Sequence, residues 1–351
     1  MRVWVGAAGA VIAACWLGSC APSLRVSPRA GTPVVEVRIV TDEADAALSI
    51  LEKVRAGGLV PEEDWERLFA SEGYRRLKRR EVGMGRAFED SAFRAFLLSD
   101  TLAARAPELA ATVADWRQAD LNAAARLALA YLPAGTHLRA TLYPVIKPRP
   151  NSFVFEVDSD PALFMYVDPE VPRAKLENTL AHELHHIGFA SACHEDSDSS
   201  LPEGVRVAAR WAGAFGEGIA MLAAAGGPDV HPHAVSSPEE RARWDRDVAN
   251  VEPDLRRIES FFSDVIDGRL VAPDSVQSAG MAFFGEQGPW YTVGWTMAAT
   301  IERVYGRQRL VAEMCDSRRL LATYNAAARE RNAMGDSLPL WSSALLAKFG
   351  L

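Results

Sequence analysis

Thr179-Leu180-Ala181-His182-Glu183-Leu184-His185-His186 is the stretch on which the reading of this chain turns, because His-Glu-x-x-His falls inside a segment with helical spacing. On an α-helix, residues four apart lie about 40° from each other around the axis and one turn along it, so His182 and His186 can direct two imidazoles at one ion. Glu183 sits about 100° from His182, within reach of a water held by such an ion and away from the ligand positions. Leu176, Leu180, Leu184 and Ile187 make a separate apolar stripe, roughly 120 to 200° from His182, so the core face and the histidine face are distinct. Pairing His185 with His182 instead would cost Glu183 its place, which leaves His185 a supporting or solvent-facing position. The plain alternative is a helix with surface histidines.

A catalytic zinc takes three protein ligands and keeps one position for water. The metzincin arrangement needs Gly three and His six residues after His186, where this chain has Phe189 and Ala192, so that class is excluded. A glutamate on a later helix is the other common source, and Phe215-Gly216-Glu217-Gly218-Ile219-Ala220 offers one. On a helix expected over Val205 to Ala225, residues Gly213, Ala220 and Ala224 lie within about 60° of Glu217, a face without bulk that can approach another backbone closely. A carboxylate buried there needs a partner, since an unpaired buried charge costs several kcal/mol. Three glycines in one helix, each costing roughly 1 kcal/mol against alanine, point the same way. The rival is Glu203, but it follows Pro202 at a helix start, where acids are expected anyway.

His182-Glu183-x-x-His186 followed by Gly216-Glu217-Gly218-Ile219-Ala220 resembles the gluzincin clan of zinc metallopeptidases, and most of all a bacterial branch of predicted zinc-dependent peptidases. Trp290-Tyr291-Thr292-Val293-Gly294-Trp295-Thr296-Met297-Ala298, ending in Tyr305-Gly306, is similar to the segment such sequences carry after the third ligand. The resemblance implies one zinc ion on His182, His186 and Glu217, with Glu183 as general base and a peptide or protein as substrate. It also implies a Tyr or His donor to the oxyanion. Tyr291 is chosen because it falls immediately before a predicted helix, against the alternative of an aromatic packed on Trp290 and Trp295. His231 and His233 are outside candidates, equally explained as a turn of exposed histidines. The resemblance touches residues from about 160 to 306, while 34–135 carry no motif.

Two other classes compete. Glu183-x-x-His186 is half of the ferritin-like di-iron signature, but the chain has no second Glu-x-x-His. A non-catalytic zinc-binding or peptide-binding envelope lipoprotein would share every motif above.

Around the site, 351 residues with 49% apolar content allow a substantial core. The formal charge of -8 disfavours a nucleic-acid partner, which needs a basic footprint. Arg75-Arg76-Leu77-Lys78-Arg79-Arg80 is the one basic run, read as a solvated helix face in preference to a membrane-surface patch. Val34 to Val40 reads as a strand, and helical spacing then runs to about Tyr131. His137 to Ile146, Ser152 to Val157 and Leu163 to Val167 are strand-like, and helices follow. The expectation is a mainly helical α+β fold, zincin-like by the resemblance, with a small antiparallel sheet before the metal helix. Leu163 to Val167 is a candidate edge strand for an extended peptide, or plain core support. The expected layout is a tether over 21–33 and one catalytic domain over 34–351, its helical part ending at 135 and its sheet, metal helices and C-terminal helices filling 136–351.

Residues 1–20 form a targeting segment. Arg2, the apolar run Val3 to Trp16 and Leu17-Gly18-Ser19-Cys20 resemble a bacterial lipobox, which implies cleavage before Cys20 and diacylglycerol on its sulfur. Ile12-Ala13-Ala14-Cys15 also fits the pattern but leaves a short apolar region, and an ordinary secretory signal or an uncleaved anchor are the alternatives. Ala21 in place of Asp favours the outer membrane over the inner. Export would let Cys193 and Cys315 pair, against the reading of two buried thiols. The loop Cys193-His194-Glu195-Asp196-Ser197-Asp198-Ser199-Ser200 lacks the spacing of a calcium loop and reads as solvated.

Overall fold

The computed structural model describes residues 35–193 and 200–351. The targeting segment, the lipobox with Cys20, the tether and most of the polar loop after Cys193 lie outside the described residues. Two compact units are present. The first holds the described residues up to Asn122 together with Leu138–Glu177, and the second holds Ala123–His137 and Asn178–Leu351. The chain thus parts elsewhere than at the expected line of 135, because residues 123–137 belong with the second unit.

In chain order, β1 (Val35–Ile39) leads into α1 (Asp42–Arg55), α2 (Glu62–Ala70), α3 (Glu72–Gly83), α4 (Asp90–Leu97), α5 (Asp100–Ala104), α6 (Ala106–Trp116) and α7 (Leu121–Leu129). The strands β2 (Leu138–Val145), β3 (Phe153–Phe155) and β4 (Ala162–Tyr166) follow. The first unit carries one sheet in the order β1-β2-β4-β3. Its pairings are Val35 with Leu138 and Thr141 with Ala162, both parallel, and Phe153 with Phe164, antiparallel. The sheet is therefore mixed, and the antiparallel expectation is corrected. The reason is connectivity, since β3 carries the chain back so that β4 runs alongside β2 in the same direction, and only the β3–β4 pair is antiparallel as expected. β4 is also no edge strand. β2 and β3 flank it on both sides, so its backbone is committed and the peptide-docking reading of Leu163 to Val167 falls.

The basic run is not a solvated face. Arg76 and Arg80 on α3 are buried at 5% and 9% exposure. Arg76 donates to the Tyr143 hydroxyl at 3.1 Å and pairs with Glu156 and Asp160, while the Arg80 guanidinium lies 3.9 Å from the Phe153 ring centroid. These cations hold α3 on the sheet, through their stems as much as their charges.

Glu43 on α1 is 1% exposed, and its Oε2 accepts from the Ile146 N–H at 3.0 Å. Burial pushes its carboxyl from 4.5 up to about 8. A raised carboxyl binds its proton more tightly in the fold, so its contribution to stability is full below pH 4.5 and is lost as pH rises through about 8. Glu43→Gln keeps the acceptor without the charge. Its melting temperature should match wild type near pH 4.5 and exceed it at pH 9, by a stabilisation on the order of a few kcal/mol. Thermal melts of both proteins at the two pH values check this, and a gap that does not change with pH rejects it.

The second unit is helical: α8 (Arg173–Ala192, shared across the division after Glu177), α9 (Glu203–Ala212), α10 (Gly216–Ala225), α11 (Pro238–Ala249), α12 (Val251–Ile266), α13 (Pro273–Met281), α14 (Pro289–Tyr305), α15 (Arg307–Glu313), α16 (Ser317–Ala333) and α17 (Ser343–Lys348). The helix expected over Val205 to Ala225 is two, α9 and α10, joined by a 3-10 turn at Gly213–Phe215. Trp290, fully buried, centres an aromatic core with Phe215, Phe262 and Phe283, and its Nε1 donates to the Gly280 carbonyl at 2.9 Å. Cys193 and Cys315 are disulfide-bonded with Cα atoms 5.1 Å apart, so the two-thiol alternative does not describe this structure. No helix among the described residues is long and apolar enough to cross a membrane.

Candidate metal centre

α8 buries Leu176, Leu180, Leu184 and Ile187, each at most 3% exposed, and leaves His182 and His186 partly exposed on another face. The two histidines meet Glu217, which stands in the first turn of α10. Three atoms converge: His182 Nε2 and His186 Nε2 are 3.0 Å apart, and Glu217 Oε2 lies 3.2 Å from the first and 3.1 Å from the second. Ligand atoms about 2.0–2.1 Å from a tetrahedral zinc are about 3.3 Å from one another, so this triangle has the size of one face of a zinc shell. Among the described residues, these three form the one group of side chains placed to hold a metal ion. Glu203 stands exposed at the start of α9, outside that group.

The charges fit a cation. Burial would raise the Glu217 carboxyl, but the facing imidazoles of His186 and His182 outweigh it and hold the group far below the usual carboxylate range. Burial opposes a charged His186 too, yet Glu217 raises it above the ordinary imidazole value. Both shifts report a carboxylate and two nitrogens pressed together, the crowding that one shared cation relieves.

Glu183 is a neighbour of the triangle without belonging to it. Its Oε2 is buried and has no protein partner. Burial raises its carboxyl, and His182 and His186 counter this only in part, so its affinity for a proton exceeds that of an ordinary glutamate. That combination suits a group that accepts a proton from water and gives it up again.

Tyr291 enters the site from α14. Its ring stacks on His182, with centroids 6.3 Å apart and planes 13° from parallel, which brings its phenol into the field of the Glu217 carboxylate. Burial, then the charges of Glu217 and Glu183, raise the phenol well above its ordinary value, so it stays a donor. Its other ring neighbour is Phe284, and the alternative packing on Trp290 and Trp295 is not what is found. Tyr291 also lies inside α14, which begins at Pro289, and not before the helix.

The reason Tyr291 reaches Glu217 lies in two glycines. A Cβ on Gly218 would meet Trp295 N at 2.0 Å and Gly294 C at 2.2 Å, and one on Gly294 would meet the Phe215 carbonyl oxygen at 2.7 Å. α10 and α14 touch backbone to backbone here, which only glycine allows. Gly213 and Gly216 have open space instead, so the expected close approach is real at Gly218 alone of the three.

His185 is fully buried, with Nε2 3.3 Å from the Tyr131 carbonyl oxygen, and burial drives it down to about 3. It is a neutral core histidine, so of its two readings the solvent-facing one falls. His231 pairs with Asp245 at 2.9 Å. His233 is 1% exposed against Trp244, which corrects the exposed-turn reading for that residue, and neither joins the triangle.

No curated protein and no solved structure matches this chain. Residues 65–333 match the model of a family whose description reads "Putative zinc dependent peptidase (DUF5700)". That match spans well over half of the sequence and takes in His182, Glu183, His186, Glu217 and Tyr291; the chain belongs to this DUF5700 family of zinc-dependent peptidases.

Proposed function

We propose that the chain is a zinc peptidase of the gluzincin type, in which His182, His186 and Glu217 hold one zinc ion and Glu183 is the general base. The observation that carries the reading is the triangle of donor atoms, 3.0 to 3.2 Å on each side, with a partnerless carboxylate oxygen of Glu183 beside it. A bound zinc supplies Lewis acidity toward the substrate carbonyl and makes a water acidic near neutral pH. Glu183 would take a proton from the attacking water as the new C–O bond forms at the peptide carbon, and would return it to the leaving amine nitrogen as the C–N bond breaks. Tyr291 donates its hydroxyl to the carbonyl oxygen as negative charge develops there. The substrate is a peptide or protein.

The lipobox supports a lipid anchor on Cys20 and a place in the bacterial envelope, with the outer membrane favoured by Ala21. An oxidising compartment accords with the Cys193–Cys315 bond.

The test is zinc content. Protein from residue 21 onward should hold one equivalent, and Glu217→Ala should lose most of it, because two histidines alone are a weak site. Glu203→Ala should match wild type. Retention of full zinc by Glu217→Ala, with loss in Glu203→Ala, would overturn the third-ligand assignment. A wild-type protein without zinc under metal-replete conditions would overturn the reading itself.

A further inference from the structure

We infer that Asn178 is a positioning residue for the metal centre, which sets the register of α10 against α8 and so brings Glu217 to the two histidines. The inference rests on the zinc reading above. Asn178 Nδ2 donates to the Ala224 carbonyl at 3.0 Å. That carbonyl belongs to the last turn of α10, where backbone oxygens have no partner within the helix. Gly226, in the left-handed conformation, ends the helix and turns its own N–H back to the Leu222 and Ala223 carbonyls. Ala224 is thus served from α8.

The spacing gives this bond its meaning. Asn178, His182 and His186 recur every four residues, so they lie along one stripe of α8 about 80° wide. Eight residues of helix separate Asn178 from His186, about 12 Å, and seven separate Glu217 from Ala224, about 10.5 Å. The helices run antiparallel, pinned at one end by Asn178 on Ala224 and at the other by Glu217 on the histidines. α14 holds the far side of α10 at Gly218, but toward α8 the face of α10 is small and the Asn178 pin is the polar contact that fixes register there. Ala220 and Ala224 provide no knob. A slip of one residue, about 1.5 Å, is comparable to the difference between a ligand and a bystander at distances near 2 Å.

Two features separate this role from ordinary helix capping. The bond is made by the same helix that carries the histidines, and it acts on the helix that carries the glutamate. Its effect should therefore pass through Glu217.

The experiment is a double-mutant cycle on zinc affinity, with Zn2+ alone as the probe, measured by competition with a chromogenic chelator. Asn178→Ala and the isosteric Asn178→Asp, which lacks the donor, should each weaken zinc binding about tenfold, within the range seen for groups that orient ligands. In the Glu217→Ala background the same changes should have no further effect. Cobalt-substituted Asn178→Ala should show a visible spectrum shifted toward that of Glu217→Ala. Wild-type affinity in both single variants, or the same tenfold loss with and without Glu217, would overturn the inference while leaving the zinc reading intact. Absence of zinc binding by wild type would overturn the zinc reading first. If Asn178→Ala proves too unstable to purify, Asn178→Asp gives the same comparison.

Discussion

Glu183→Gln should keep wild-type zinc content and lose about 10²- to 10⁴-fold in the rate of peptide hydrolysis, the range a positioned general base contributes. The substitution preserves size and hydrogen bonding and removes only the ability to take a proton. Because Glu183 stands outside the triangle of donor atoms, metal affinity has no reason to change. Burial raises its carboxyl, so the activity carried by the ionised group should appear at a higher pH than for an exposed glutamate, rising as pH climbs through the raised value. The checks are metal analysis of the purified variant and turnover of a peptide library across pH. Unchanged turnover in a zinc-loaded Glu183→Gln protein would replace the peptidase with a zinc-binding protein that keeps the fold without the reaction.

The second large effect belongs to the backbone. Gly218→Ala should destabilise the helical unit by about 3 kcal/mol or more, because the new methyl would lie 2.0 to 2.2 Å from backbone atoms of Gly294 and Trp295. Backbone cannot rotate aside as a side chain can, so α10 and α14 must separate and take Glu217 and Tyr291 with them. Gly216→Ala, two residues earlier on the same helix, meets nothing within 4 Å and should gain up to about 1 kcal/mol from helix propensity. Chemical denaturation of the two variants side by side measures the contrast. Equal stabilities would remove the close approach as the reason for glycine at 218.

The shared face of His182 and His186, with Glu183 beside it, was legible in the sequence because local helical geometry alone dictates where residues four apart must point. Glu217 was reached by a weaker argument. The bare helix face included Gly213, which falls in a 3-10 turn, so the conclusion stands on Gly218, Ala220 and Ala224 instead. Tyr291 was legible as a residue and misplaced as an element, because Pro289 opens α14 a turn earlier than the apolar spacing from Val293 implied. The strands were found to within a residue or two. Of their pairings only the antiparallel β3–β4 one was, since the order β1-β2-β4-β3 and the two parallel pairings join strands that are not successive in the chain or are separated by about a hundred residues. The basic run misled for a similar reason. A helix with five basic residues in six positions looks exposed unless the partners of Arg76 and Arg80 on the sheet are known.

The parallel pairing of Val35 with Leu138 bears on how the chain comes to be folded. When β1 leaves the ribosome, the strand it will pair with is still about a hundred residues from synthesis, and a five-residue ribbon cannot persist alone. Helices α1 to α6 can form in the meantime from local contacts, but the sheet must wait, and Ala123–His137 must wait longer still, since the rest of their unit, Asn178–Leu351, is made after β2. Folding is therefore a late, nonlocal event that closes long loops all at once, the topology associated with slow rates and with exposed strands awaiting partners.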